Sequence, residues 1–425
     1  MQTHKRVLIV GTVPYNEMST SRAFDSYFRF WEKENLAQIF SNAKAPVKGH
    51  CGTLFQITDE RMLKRRFNRK TETGVVFNYG NLADKWDDSS LEVSNGVAKM
   101  YRFGSRKNSF VYLLRKFIWK RKYWCSEKLL SWLDEFSPEC VFLSFSDDFF
   151  IPQIALFVAE RYNIPIVSSI GDDYYFNYKF SLSPFYHIYK LAYRKLIRKV
   201  FAHKGSAIYI GDKIRDKYNA SFGLEGKTVY LTSSIERRPF RTISETNPEI
   251  SYFGNIRLGR NESLKDIGQA LGRIDRNYVL NVYSNENDPK FCKLFDGDPN
   301  IRFCEVAKKT LESDIVIVVE GFRKKDVDIT RYSLSTKVAD SLSSGVAVFA
   351  YGSRDCGAIE YAESVGCIVT CVEKNELEKS LRSLIFDPAR QKENYEKSAE
   401  VVAKNHRLEK STEIFESVVN NVCGG

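Results

Sequence analysis

Ile315-Val316-Ile317-Val318-Val319 precedes Arg331-Tyr332-Ser333-Leu334-Ser335-Thr336-Lys337-Val338-Ala339-Asp340, and Gly345 then leads into Val346-Ala347-Val348-Phe349-Ala350. Both apolar runs are short, largely β-branched and bounded by Gly or charge, as in strands buried on both faces of a parallel sheet. The stretch between them predicts one helix over residues 335–344 that opens on hydroxyls and closes at Gly345. A helix entered through Ser335-Thr336-Lys337 offers free backbone N–H groups, two hydroxyls and a cation to an anion at the carboxyl edge of the sheet. Asp340 follows Lys337 by three residues, so both lie on one helical face with the carboxylate one turn deeper. A diphosphate at the helix mouth and a diol such as ribose behind it satisfy that pattern. The plainer alternative makes Ser335 and Thr336 ordinary caps and leaves Asp340 in solvent.

Outward from this unit the alternation repeats. Upstream, strands are predicted at 250–253, 278–283 and 301–304 with a helix at 263–274, and downstream a last strand at 366–370 precedes helices to the end. The front half predicts strands at 7–10, 140–145, 164–170, 207–210 and 228–231. Its helices fall at about 21–31, 150–162 and 184–201, while residues 50–110 show no consistent period and predict no element. Residues 233–248 trade apolar periodicity for charge, Pro and Ser/Thr, the composition of a linker. Two βα sets imply an α/β protein of two Rossmann-like, doubly wound domains facing across a cleft. The expected boundaries are 1–240, 249–405, and a C-terminal helix over 406–425 that packs back on the first domain.

At 425 residues two domains are the default, and 43% hydrophobic with 28% charged residues are globular proportions. No apolar run reaches membrane-spanning length, and Val7–Val10 reads as a first strand rather than a signal segment, so a cytoplasmic location is expected. The nine cysteines include no C-x-x-C pair, and the chain has no H-E-x-x-H, Walker loop or G-x-G-x-x-G. No cofactor and no metal site are expected. Residues 1–245 carry 39 basic against 25 acidic side chains, and residues 246–425 carry 25 against 28. The front half therefore faces something anionic. The excess concentrates in residues 101–122 and 174–211, which contain no acid.

The loop after the first strand of the rear half, Phe253-Gly254-Asn255-Ile256-Arg257-Leu258-Gly259-Arg260, supplies a close-approach glycine, a turn-tolerant Asn and cations. Arg257 or Arg260 would clamp phosphate oxygens, with Lys265 as a further cation at the helix start. This loop, the helix start Ser335–Asp340 and Ser344-Gly345-Val346-Ala347-Val348 together resemble GT-B glycosyltransferases, nearest the family-four enzymes of bacterial capsule and surface polysaccharides. The resemblance covers about residues 248–372, and the front half only loosely. It implies that Ser335 and Thr336 hold the diphosphate of a UDP- or GDP-type donor, that Lys337 and Arg260 neutralise it, and that Asp340 bonds the ribose. Gly254, Asn255 and Lys265 join them as donor-binding candidates read from the loop and helix start themselves. The family often has Glu at Asp340 and a second Glu where this chain has Tyr332. It also has Pro before the Ser/Thr-Lys pair, where this chain has Leu334-Ser335.

An inverting transfer needs a base for the acceptor proton, and Asp147, Asp148, Asp172 and Asp173 follow front-half strands. Asp172 and Asp173 are slightly favoured, because Tyr174-Tyr175-Phe176 offers rings for a sugar. The implied acceptor is a growing, lipid-linked surface glycan. Lys190, Arg194 and Arg198 form one row of a helix beside Ile188, Ala192, Leu196 and Val200, which suits the inner, anionic membrane surface. Nucleic acid is not expected as a partner. An epimerase or hydrolase of nucleotide sugars, and a non-catalytic binding or assembly protein, share the architecture and remain alternatives.

Overall fold

The computed structural model describes residues 4–15, 22–83, 109–177, 181–304 and 310–424. The chain divides into two units: Met1–Tyr209 with Arg215–Val229 and Thr412–Gly425, and Ile210–Ile214 with Tyr230–Ser411. The first holds β1 (Val7–Val10), β2 (Leu36–Phe40), β3 (Thr53–Ile57), β4 (Gly74–Asn78), β5 (Cys140–Ser144), β6 (Ile166–Ile170), β7 (Gly205–Tyr209) and β8 (Lys227–Thr228). They form one sheet in the order β4-β3-β2-β1-β5-β6-β7-β8, parallel throughout except for the antiparallel edge strand β4. All four residues of β1 are buried, as a strand covered on both faces requires.

The second unit holds β9 (Ile250–Phe253), β10 (Leu280–Tyr283), β11 (Ile301–Cys304), β12 (Ile315–Val319), β13 (Ala347–Tyr351) and β14 (Val369–Cys371), all parallel, in the order β11-β10-β9-β12-β13-β14. β12 and β13 run in register from Ile315 opposite Ala347 to Val319 opposite Tyr351. The helix Thr336–Ser344 connects them and ends at Gly345, whose φ of +71° terminates it in the left-handed region. Val338 and Leu342 of that helix pack with Val318, Val348 and Ile359 in one core layer, and Leu264 and Ile267 of the helix Arg260–Ile274 pack with Ile317 and Phe349 in another.

Residues 50–83, for which the pattern predicts nothing, contain β3, β4 and the helix Asp59–Phe67, started by the Thr58 hydroxyl accepting from the Arg61 amide. The predicted strand at 228–231 shrinks to Lys227–Thr228. A helix not expected from the pattern, Lys324–Thr330, follows β12, its buried Asp326 held by Arg323 Nε at 2.6 Å. Arg102, Arg106, Lys107 and Lys179 of the two basic segments lie outside the described residues. Among the described residues no helix is long and apolar enough to cross a membrane.

The final helix, Leu408–Cys423, inserts Phe415, Val418 and Val419 into the core of the first unit, where the Phe415 ring lies 4.8 Å from Phe28 and 5.5 Å from Phe142. Phe415 is fully buried. Phe415→Ala is expected to lower unfolding free energy by about 3–5 kcal/mol, read from the urea midpoint. A loss below about 1 kcal/mol would mean that the helix is dispensable to this core.

Candidate functional site

Where a parallel sheet winds both ways from one strand, ligands settle beyond the carboxyl ends of the strands at the reversal. In the second unit those strands are β9 and β12. β9 is followed by Gly254, whose φ of +154° favours glycine. A Cβ there would lie 2.7 Å from Lys337 Cε, 3.1 Å from Lys337 Nζ and 2.9 Å from the Tyr252 hydroxyl. The Lys337 side chain therefore lies over the bare backbone of Gly254, and two segments far apart in sequence form one surface. Ser335 caps the helix by position but makes no side-chain cap bond, and Thr336 is exposed. The first amides of the helix and its positive dipole end thus lie beside the Lys337 ammonium. One turn deeper, half-buried Asp340 accepts a hydrogen bond from the Ser233 hydroxyl at 2.6 Å.

The other cations of the loop are placed differently. Arg260 Nη2 lies 2.9 Å from both Glu320 oxygens, and its Nε donates to the Val319 carbonyl at 3.3 Å. Glu320 directly follows β12 and is 2% exposed; burial raises its carboxyl above the usual range even with Arg260 beside it. A carboxylate so buried demands a counter-ion, so the first task of Arg260 is neutralising Glu320. Arg257 pairs with Glu286, Nη2 to Oε1 at 3.0 Å. The Asn255 side chain accepts from the Arg257 amide at 2.7 Å, which makes it a shaper of the turn. Lys265 lines a separate hollow with Gln269, Asp296 and Asp298. Tyr332, at the family's second Glu, lines a small recess with Leu334, Glu360 and Tyr361.

The sequence gives no sign of a hollow of about 580 Å³ at the carboxyl ends of β12, β13 and β14, lined by Gly259, Asp266, Phe322, Tyr351, Asp355 and Lys374 among others. Phe322 is 42% exposed and its ring lies 5.0 Å from Tyr351. Its volume falls in the range of small-molecule sites.

In the first unit the reversal lies between β1 and β5, and Asp147 and Asp148 follow β5. Asp147 is exposed, while Asp148 is half-buried and hydrogen-bonded by Arg115. Arg115 also holds Asp59, at 3.1 Å, and Trp119 donates to Asp59 at 2.6 Å. Burial outweighs Arg115 and pushes the Asp148 carboxyl up to about 6. Asp59 and Arg115 escape sequence reading because each stands in an ordinary amphipathic helix.

Of the favoured pair after β6, Asp172 is exposed and Asp173 is buried. Asp173 Oδ1 accepts from Tyr218 Oη at 2.8 Å and from the Tyr175 and Phe176 amides at 3.1 and 2.8 Å. Tyr175 packs edge-on against Phe176 and Phe222. The pair thus divides, with Asp173 holding the turn.

The expected basic row also turns inward. Lys190 donates to the Tyr174 carbonyl at 3.2 Å, Arg194 to the Tyr175 carbonyl at 2.8 Å and Arg198 to the Tyr175 hydroxyl at 2.6 Å. Carbonyls leaving a sheet edge need donors, and these side chains supply them. Leu196 and Val200 are buried, but Ile188 is 54% exposed, so the expected apolar row splits.

No model of a known protein family matches the chain, and no curated relative does. Solved structures do. TarM aligns at a TM-score of 0.61 and 11% identity, over 99% of this chain and 99% of TarM. Anabaena Alr3699/HepE, solved in complex with UDP, aligns at 0.57 and 9% identity, over 98% of this chain and all of that one. WaaG, a glycosyltransferase involved in lipopolysaccharide biosynthesis, aligns at 0.51 and 12% identity, over 99% and 100%. The fold is that of the GT-B glycosyltransferases. In this GT-B chain the loop after β9 and the mouth of the helix Thr336–Ser344 belong to the second unit, and the four aspartates to the first.

Proposed function

We propose that this chain is a glycosyltransferase that moves a sugar from a UDP- or GDP-type donor to a growing, lipid-linked surface glycan, as in capsule synthesis, at the inner face of the bacterial membrane. The observation that carries the reading is Lys337 lying over Gly254 at a helix mouth without a side-chain cap. The HepE neighbour, solved with UDP, supports the nucleotide, and WaaG supports the surface glycan.

In such a transfer the bond between the anomeric carbon and the diphosphate oxygen breaks, and negative charge grows on the leaving nucleoside diphosphate. The Lys337 ammonium and the first helix amides stabilise that charge where it develops. Asp340, oriented by Ser233, accepts from the ribose hydroxyls. If the anomeric centre inverts, the acceptor hydroxyl proton passes to a carboxylate. Asp148 suits that role, since its pKa of about 6 leaves it ionised yet basic near neutral pH.

The test is thermal shift with UDP, GDP and ADP, followed by nucleotide release from matching sugar donors. UDP or GDP should raise the melting temperature, and Lys337→Ala with Asp340→Ala should remove the rise. No shift with any nucleotide overturns the reading.

Asp148 also gives a pH prediction. Its folded pKa lies above the ordinary 3.8, so ionising it costs the folded state; the cost is absent below about pH 4 and complete above about pH 6. The stability of the wild type relative to Asp148→Asn should therefore fall as pH rises from 4 to 6, by no more than about 3 kcal/mol. Denaturation curves of both proteins at several pH values measure it, and a flat difference would mean that Asp148 titrates as in an unfolded chain. If Asp148 is the base, turnover should also drop below about pH 6.

A further inference from the structure

Seven large apolar side chains stand exposed on two neighbouring segments of the first unit. Phe110 (47%), Leu114 (42%) and Phe117 (54%) project from the helix Ser109–Ile118; Leu182 (89%) precedes the helix Pro184–Ala202, and Phe185 (45%), Ile188 (54%) and Leu191 (62%) lie in its first half. The rings of Phe110 and Phe185 are 5.4 Å apart and those of Tyr112 and Tyr189 stack at 5.1 Å, so the helices lie side by side and point the same way. Beyond the apolar residues both continue into exposed cations: Lys120, Arg121 and Lys122 after the first, Lys195 and Lys199 along the second. Residues 109–126 and 181–211 contain no Asp or Glu. Helical spacing puts Lys195 and Lys199 on the side that carries Ile188 and Leu191.

An apolar patch of this extent rarely faces water without an occupant. A second copy of the chain would set two groups of cations against each other, which charge disfavours. An anionic lipid surface satisfies both halves, the apolar side chains entering the acyl boundary and the cations meeting headgroup phosphates. We propose that these paired helices dock the chain on an anionic membrane. The surface deepens the proposed function by placing the enzyme where a lipid-linked acceptor resides, and it shares no residue with the nucleotide site.

Flotation of the full chain with vesicles of phosphatidylcholine, and of phosphatidylcholine with about one third phosphatidylglycerol, tests it. The chain should float with the anionic vesicles, weakly with the neutral ones, and less as salt rises. Phe117→Ser with Leu191→Ser should abolish flotation, and Lys195→Glu or Lys199→Glu should weaken it about fivefold or more each. All four positions are exposed, and an unchanged melting temperature without nucleotide reports an intact fold. Failure of the wild type to float, or variants that float equally well, would overturn the proposal. So would sedimentation showing a dimer that the serine variants dissolve. The nucleotide reading survives each of those results, just as vesicle binding survives loss of the UDP shift.

Discussion

Gly254→Val is expected to weaken UDP or GDP binding roughly 10- to 100-fold while leaving Lys337 in the chain. A Cβ at position 254 meets Lys337 Cε at 2.7 Å and the Tyr252 hydroxyl at 2.9 Å, so one of them must move. Tyr252 is buried and donates to the Asn255 carbonyl at 2.6 Å, whereas Lys337 presents the far end of a flexible side chain. The lysine yields. Its ammonium leaves the helix mouth, and the bound diphosphate loses a charge-assisted hydrogen bond of about 1.5–3 kcal/mol. Lys337→Ala removes the same contact directly and should cost the same range. The double variant should bind no worse than the weaker single one, because both changes act on a single interaction. Calorimetric titration reads all three. Full affinity in Gly254→Val would show that the ammonium contacts no donor phosphate. The positive φ at 254 adds backbone strain of about 1–3 kcal/mol in the valine variant, so its melting temperature falls as well. The alanine variant of Lys337 carries no such strain and keeps the binding result interpretable.

The strands β12 and β13 and the helix before β13 are legible because their pattern is plain, two buried β-branched runs and a helix with its own stop at Gly345, whereas the helix Lys324–Thr330 between β12 and Thr336 is short and carries no apolar period of its own. The loop after β9 is legible for the same reason, since a glycine after a buried strand marks the carboxyl edge. Other strands hide behind buried polar residues. Gln38 in β2 and Gln56 in β3 break the apolar run, yet both are buried with their amides satisfied. Gln38 accepts from the Tyr15 amide at 2.6 Å and donates to the Val13 carbonyl at 2.8 Å, and Gln56 donates to the carbonyls of Asn42 and Lys44. These glutamines fix the loops after β1 and β2, and a hydropathy pattern scores such residues as loop. Within the site, spacing places Lys337, Arg260 and Asp148 at strand ends but says nothing of their partners. Those partners, Gly254, Glu320 and Arg115, come from other elements and are decided by tertiary packing. The row Lys190, Arg194 and Arg198 shows the same gap, since its helical spacing is as expected while its partners are backbone and hydroxyl groups of the turn after β6.

Arg260→Ala is expected to destabilise the chain by about 3–5 kcal/mol, because it strands a carboxylate at the end of a central strand. Glu320 is 2% exposed, and its ion pair with Arg260 is bidentate. The loss should depend on pH with a definite sign. Burial already raises the Glu320 carboxyl, and without Arg260 it rises further, so the variant folds with a proton that the unfolded chain does not hold at neutral pH. Acidification supplies that proton, so the deficit of Arg260→Ala should shrink as pH falls from 7 to 5. A deficit that grows in acid would mean that Glu320 is not desolvated. Replacing both partners, Arg260→Met with Glu320→Leu, removes the buried charges together and should restore most of the stability, since well-packed apolar pairs often match or exceed a buried ion pair. That restored protein decides what else the arginine does. If its guanidinium also neutralises a donor diphosphate, the double variant will melt like the wild type and yet show a much smaller UDP or GDP shift. If the arginine serves only Glu320, stability and nucleotide shift will recover together, and the phosphate site will rest on Lys337 and the amides of its helix.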